Sequence, residues 1–180
     1  MDAFERALSI VLAHEGGDTL TDDPLDPGGV TRFGISQAAH PTVDIRNLTR
    51  AQAAAIYRRE YWDELSCSEM PGPIALCVFD GGVNQGVNAT ARLLQDAVGT
   101  VVDGDVGPKT LQAVARYPVA TLVRRLMKRR TARYIATGGF ATYGRGWINR
   151  AIDITADAIE WAGAPRLSGS TTGDWHGIQP

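Results

Sequence analysis

The residues best placed to do chemistry are His14-Glu15-Gly16-Gly17 and the Asp-, Pro- and Gly-rich run from Asp22 to Ile35. Together they put one carboxylic acid at the end of an apolar helix face and a cluster of carboxylates on the loop behind it. A carboxyl that gives a proton, opposed by a second carboxylate, is the equipment for acid-assisted cleavage of a sugar acetal. Glu15 is the candidate acid, and Asp22, Asp23 and Asp26 are the candidate partners. Thr31 can hold a water by its hydroxyl.

The element that must position Glu15 is an amphipathic helix over residues 2–15. Phe4, Leu8, Val11 and Leu12 recur at helical spacing, while Asp2, Glu5, Arg6 and Ser9 fall on other sides. At 3.6 residues per turn Glu15 stands about 20° from Phe4 around the axis. A carboxyl on that apolar stripe is costly to ionise, so its proton affinity should rise toward what a general acid needs. The competing reading is a last-turn Glu that tilts into water. Gly16 and Gly17 end the helix in the left-handed region.

Pro24, Pro27, Gly28 and Gly29 punctuate the loop, and Val30 to Ile35 reads as a short strand in which Gly34 allows close backbone approach. The aspartates double as turn formers that cap their own backbone. The ligand alternation of a calcium-binding EF-hand is missing. Downstream the chain is helical. Thr49-x-x-Gln52 opens a helix through about Trp62, and residues 73–86 are apolar on nearly every side and should form a buried central helix. That helix delivers Asp80 and Asn84 either to fix loop backbone or to line a cleft. Further helices are expected at 88–98, after Pro108, at 119–136 and at 147–162, the last with Ile148, Ala151, Ile152, Thr155 and Ile159 inward. Phe140, Tyr143 and Trp147 interleave a Gly-rich segment, where rings serve either as core or as sugar-stacking faces. The fold class is mainly α (α+β), with a short β element near residues 18–36. Residues 1–88 form a catalytic region, 89–164 a helical region packed on it, and 165–180 an aperiodic tail.

Taken in order, His-Glu-Gly-Gly, Asp26-Pro-Gly-Gly-x-Thr31-x-Phe33-Gly-Ile, Tyr61-Trp62 and Phe79-Asp80-x-x-Val-Asn84-x-Gly86 resemble glycoside hydrolase family 108. Its members are N-acetylmuramidases of phage endolysins and of bacterial secretion or lysis systems. Leu94-Gln95 and Asp103-Gly-Asp-Val-Gly-Pro108-Lys-Thr110 resemble the small peptidoglycan-binding module usually paired with that catalytic part. The resemblance spans residues 2–162. It implies a lysozyme-like fold with Glu15 as the catalytic glutamate and Thr31 in the last place of a Glu, Asp or Cys, Thr pattern. Neither Asp23 nor Asp26 has the spacing of the middle place, and Asp26 is preferred because it lies inside the motif block. Asp23, Phe33, Tyr61, Asp80 and Asn84 fall to substrate binding, and the partner is a peptidoglycan glycan strand, with no cofactor.

With 180 residues and 44% hydrophobic content the chain can bury one good core. A net charge of −2 gives no global reason to bind nucleic acid. The charge is uneven: residues 1–30 hold seven acids and one base, and residues 116–133 hold seven bases and no acid. Arg124, Arg125, Lys128 and Arg129 then form either a solvated helix face or a contact with an anionic wall or membrane. The N-terminus carries no signal-peptide pattern, so synthesis in the cytoplasm is expected, as a monomer that acts on the wall after release. Cys67 and Cys77 are the two thiols; Cys77 sits in an apolar run as a core residue, and pairing is left open. His14-Glu15 begins like a zinc-binding His-Glu-x-x-His, but position 18 is Asp, and three histidines supply a metal poorly. A cysteine peptidase has no supporting motif. The remaining alternatives are a lytic transglycosylase using the same Glu, or a wall-binding module without catalysis.

Overall fold

A computed structural model describes residues 1–23 and 27–163. Asp26 and the tail from 165 lie outside them. Among the described residues are seven α-helices, a π-helical stretch, a short 3-10 turn and one small hairpin. Helix α1 (Ala3–His14) is capped by the Asp2 carboxylate, which accepts from Glu5 N at 2.7 Å. Phe4, Ala7, Leu8, Val11 and Leu12 are its buried face, as the periodicity requires. Gly16 (φ 86°) and Gly17 (φ 62°) break it.

Residues 30–35 are not one strand. Strand β1 (Thr31–Arg32) pairs antiparallel with β2 (Ile35–Ser36), and the chain reverses at Phe33-Gly34. Both turn residues have positive φ, 53° and 72°. This is the two-residue turn whose twist suits a hairpin, and Gly at its second place lowers the strain. Thr31 stands opposite Ser36 in the hairpin register, and on its other side exchanges two backbone bonds of 2.9 Å with Thr21.

Helix α2 (Arg50–Tyr57) starts at the expected capping box, with Thr49 and Gln52 exchanging bonds, and passes into a π-helical stretch, Arg58–Asp63. The wide turn carries Tyr61 and Trp62. Helix α3 (Gly72–Gln85) is the buried centre: Ala75 to Phe79 are at most 1% exposed. Around it pack α4 (Val87–Val98), α6 (Val119–Ile135) and α7 (Phe140–Trp161), with α5 (Pro108–Val114) beside α4. One hydrophobic cluster runs from α1 through α3 into α6 and α7. Both cysteines are buried and free.

Helix α7 departs from expectation. It starts seven residues early and absorbs most of the Gly-rich segment. Its buried face is Gly144, Ala151, Ile154 and Ala158, whereas Ile152 is 60% exposed. Ile154 and Ala158 face the core where Ile148 and Ile152 were expected to, so the stripe runs 144–147–151–154–158. Trp147 and Arg150 come with it.

Candidate active site

Glu15 is the first residue beyond α1, with φ −90° and ψ 12°. Its side chain is 22% exposed and meets a guanidinium: Arg150 Nη1 donates to Glu15 Oε1 at 2.6 Å. The surroundings are those of a clamped carboxylate and not the apolar pocket expected from the stripe. The other oxygen, Oε2, is turned toward the hairpin tip. A Cβ on Gly34 would stand 3.1 Å from it, 2.9 Å from Glu15 Cβ and 2.8 Å from the Tyr57 hydroxyl. Only glycine fits there. Tyr57 also ties the tip down, donating to the Phe33 carbonyl at 2.9 Å.

Arg150 does not act alone. Its Nε and Nη2 donate to Asp80 Oδ1 at 2.9 and 2.7 Å. On the far side Arg130 Nη2 makes an ion pair with Asp80 Oδ2 at 2.5 Å, off hydrogen-bond alignment. Arg130 Nε donates to the Tyr134 hydroxyl at 2.9 Å, and that hydroxyl donates to Asn84 Oδ1. Two carboxylates and two guanidiniums therefore alternate from Glu15 into the core, and their charges sum to zero. Buried charges persist only when paired in this way. Burial opposes the charge on Arg150, but the Asp80 carboxylate and then Glu15 outweigh it and raise its proton affinity above the ordinary arginine value. Arg150 is a fixed cation.

A cavity of about 120 Å³ opens beside Glu15, walled by the hairpin from Gly34 to Ser36, His40, Tyr57 and Tyr61. His40 Nε2 lies 3.6 Å from the Glu60 carboxylate. Burial, and next the Glu15 carboxylate, pushes the Tyr57 phenol well above its usual value; burial, then Glu60 and Glu15, raise that of Tyr61. Both phenols are neutral donors at physiological pH. The volume is below the roughly 300–1,000 Å³ of common ligand pockets. It takes a reacting group and water, and a longer chain must lie across the surface outside it.

The other sequence-derived candidates fall out unequally. Tyr61 lines the cavity. Asp80, expected on the substrate side, has no exposed surface and holds the two arginines, so it cannot touch substrate. Asn84 accepts from Tyr134 and backs the same network. The Phe33 ring is 5% exposed and packs inward; its carbonyl serves the site. Thr31 donates its hydroxyl to Gly29 O at 3.2 Å. Asp23 is exposed on the loop, and Asp26 lies outside the described residues. Among the described residues no three His, Cys, Asp or Glu side chains gather as a metal site. The basic run on α6 divides: Arg124 and Lys128 are exposed, Arg125 donates to Ala97 O at 2.6 Å, and Arg129 pairs with Asp96 at 2.5 Å. Arg130 and Arg150 were missed by sequence reasoning. Arg130 had a signal, since it continues the Leu122, Val123, Leu126, Met127 stripe.

Residues 8–86 match the family described as glycosyl hydrolase 108, and residues 89–152 match a predicted peptidoglycan domain. A solved structure of SagA from Brucella abortus is 30% identical, with a TM-score of 0.78, over 91% of this chain and 98% of that one. The chain belongs to glycosyl hydrolase family 108. Its fold is the mainly α, lysozyme-like one the motifs implied, and it is a glycoside hydrolase with a peptidoglycan-directed second region. No curated protein matches it. The charge network straddles the two matches: Glu15 and Asp80 lie in the first, Arg130 and Arg150 in the second. In the second region Gln95 Nε2 donates to Asp103 Oδ1 at 2.6 Å and to Asp105 O at 2.8 Å, and Gln95 Oε1 accepts from Gly104 N at 2.8 Å. That fixes the Asp103–Pro108 turn and makes its first aspartate a structural acceptor.

Proposed function

We propose that this hydrolase is an N-acetylmuramidase that cleaves the β-1,4 bond between N-acetylmuramic acid and N-acetylglucosamine in the cell wall, with Glu15 as general acid. The observation that carries the reading is the division of labour at its carboxyl. Oε1 is held by Arg150, and Oε2 is turned to the hairpin beside a small cavity. A positioned carboxyl with one oxygen clamped can carry a proton on the other and deliver it to the glycosidic oxygen as that bond breaks. Asp26 and Thr31 stabilise the sugar cation or hold the attacking water, which adds its hydroxyl to the anomeric carbon and its proton to the carboxylate. Tyr61 contacts the sugar, and residues 89–164 hold the wall polymer against the catalytic region.

Two measurements test this. Lysis of purified sacculi should fall by about 10²- to 10⁴-fold in Glu15→Gln, the range for loss of a general acid. The reducing fragments should carry the mass of one added water. Anhydro sugars would instead mark a lytic transglycosylase. Near-normal lysis by Glu15→Gln would remove Glu15 from the chemistry.

A further inference from the structure

We infer that Tyr143 and Trp147 form a stacking platform for the glycan strand, placed on α7 next to the clamp of Glu15. The inference rests on the muramidase reading above and adds to it a subsite outside the reaction cavity.

At 100° per residue Tyr143, Trp147, Arg150 and Ile154 fall on one face of α7, within about 60° of each other. Along that face exposure rises steadily: Ile154 is fully buried, the Arg150 side chain is 12% exposed, Trp147 is half-buried and Tyr143 is 63% exposed. The face therefore runs from the core, past the group that holds Glu15, out to solvent. Seven residues separate Arg150 from Tyr143, about 10 Å along the axis, which is longer than a single pyranose ring. The cavity beside Glu15 has no room for such an extension.

The rings are packed in a row, Trp147 stacked on Tyr134 and Tyr143 tilted by 34° against Trp147. Tyr143 and Trp147 have centroids 5.9 Å apart, and Trp147 stacks on Tyr134 at 5.3 Å with 23° between planes. Gly139 lets the pair lie flat against the chain: a Cβ there would be 3.2 Å from Trp147 Cη2 and 3.3 Å from Tyr143 Cδ2. Tyr134 is also the residue that joins Arg130 to Asn84. The platform and the acid clamp thus share one support. The Tyr143 ring, packed against Trp147 and 63% exposed, offers an apolar face to solvent at a fixed place on α7. The apolar face of an N-acetylhexosamine presents C–H groups to such a ring while its hydroxyls stay hydrated. The face starts at Arg150, which touches Glu15, so a strand that extends from the reacting bond along α7 meets these rings.

The test uses the full-length Glu15→Gln protein, so that no turnover interferes, and the N-acetylglucosamine hexamer as probe. Binding is followed by calorimetry and by tryptophan fluorescence. Adding Tyr143→Ala should weaken the Kd about 3- to 10-fold, the equivalent of one aromatic contact. Tyr143→Phe should restore it, because the ring and not the hydroxyl does the stacking. The exposed position keeps both variants folded, and a thermal melt checks this. An unchanged Kd in Tyr143→Ala, or a Tyr143→Phe value as weak as the Ala one, overturns the platform. If Tyr143 governs hexamer binding but sacculi are not cleaved by the wild type, the muramidase reading fails and the platform stands. If cleavage requires Glu15 but the Kd ignores Tyr143, the platform fails alone.

Discussion

Replacing Arg150 by Met keeps most of the side-chain volume and removes one guanidinium that serves two carboxylates. Asp80 loses bonds of 2.9 and 2.7 Å but keeps its ion pair to Arg130; Glu15 loses a bond of 2.6 Å. Stranding a buried charge costs about 3–5 kcal/mol. Arg130 still neutralises Asp80, and the Glu15 side chain is 22% exposed and can rehydrate. About 2–3 kcal/mol is therefore the expected loss, and for a chain of this length that lowers Tm by roughly 4–12 °C. The activity effect should be larger than the stability effect suggests. Without the clamp the carboxyl samples other rotamers, and misplacement of a catalytic group by about 1 Å costs about 10²-fold. That loss should appear in kcat, with KM little changed, when release of soluble glycan from sacculi is measured well below the lowered Tm. Arg150→Lys separates charge from geometry. An ammonium keeps the cation but cannot fork across Asp80 and Glu15 together, so it should recover stability more than rate. Wild-type kcat in Arg150→Met would refute the idea that Arg150 positions the acid, whatever happened to Tm.

Other consequences can be checked separately. Asp80→Asn leaves Arg130 and Arg150 facing each other without their shared counter-charge, and should destabilise by about 3–5 kcal/mol in urea unfolding. That exceeds the effect of Glu15→Gln, which should stay within about 1 kcal/mol of wild type because its site is partly wet. Gly34→Ala forces a Cβ into Tyr57 and Glu15 at a φ of 72°; activity should fall at least about tenfold, with a stability loss of roughly 2 kcal/mol or more. Burial pushes Cys77 up to about 12 from its ordinary value of 9.0, and raises Cys67 likewise. Folding thus disfavours the thiolate. The stabilisation is complete below pH 9, where both folded and unfolded thiols are protonated, and is lost as pH rises through about 12 for Cys77, at about 1.4 kcal/mol per pH unit. Urea midpoints should fall from pH 9 upward, and iodoacetamide at pH 8 should label neither thiol until denaturant is added.

What was legible in the sequence was whatever depends on local spacing. The Phe4–Leu8–Val11 stripe, the Thr49/Gln52 box and the all-apolar run before Asp80 each fix their element without help from elsewhere. The hairpin was misread as a strand because Phe33 adopts a φ of 53° that its residue type disfavours, and tertiary contact with Tyr57 holds it there. The start of α7 was missed for a related reason. Gly139, Gly144 and Gly146 weaken helix propensity, but Gly144 is buried against the Phe140 ring, so packing outweighs propensity. Two isoleucines two positions apart, Ile152 and Ile154, compete for the inward face; Ile154 takes it and brings Arg150 toward the core. The site was therefore half visible. Glu15 could be found from its own helix, whereas its surroundings depend on a residue 135 positions away.

That separation bears on how the two matched regions work together. A catalytic region followed by a binding module suggests two parts that could act independently. Here α3, from the first, is packed by α4, α6 and α7 from the second, and Asp80 on α3 is neutralised only by arginines supplied from α6 and α7 among the described residues. Residues 1–88 alone would expose the apolar flank of α3 and leave Asp80 without either partner, a combination that a marginally stable fold does not survive. The second region thus completes the charge network behind Glu15. A chain cut after residue 88 should remain unfolded by circular dichroism. Recovery of cooperative melting when residues 89–163 are supplied as a separate chain would show that packing on α3, and not the covalent link, completes the site.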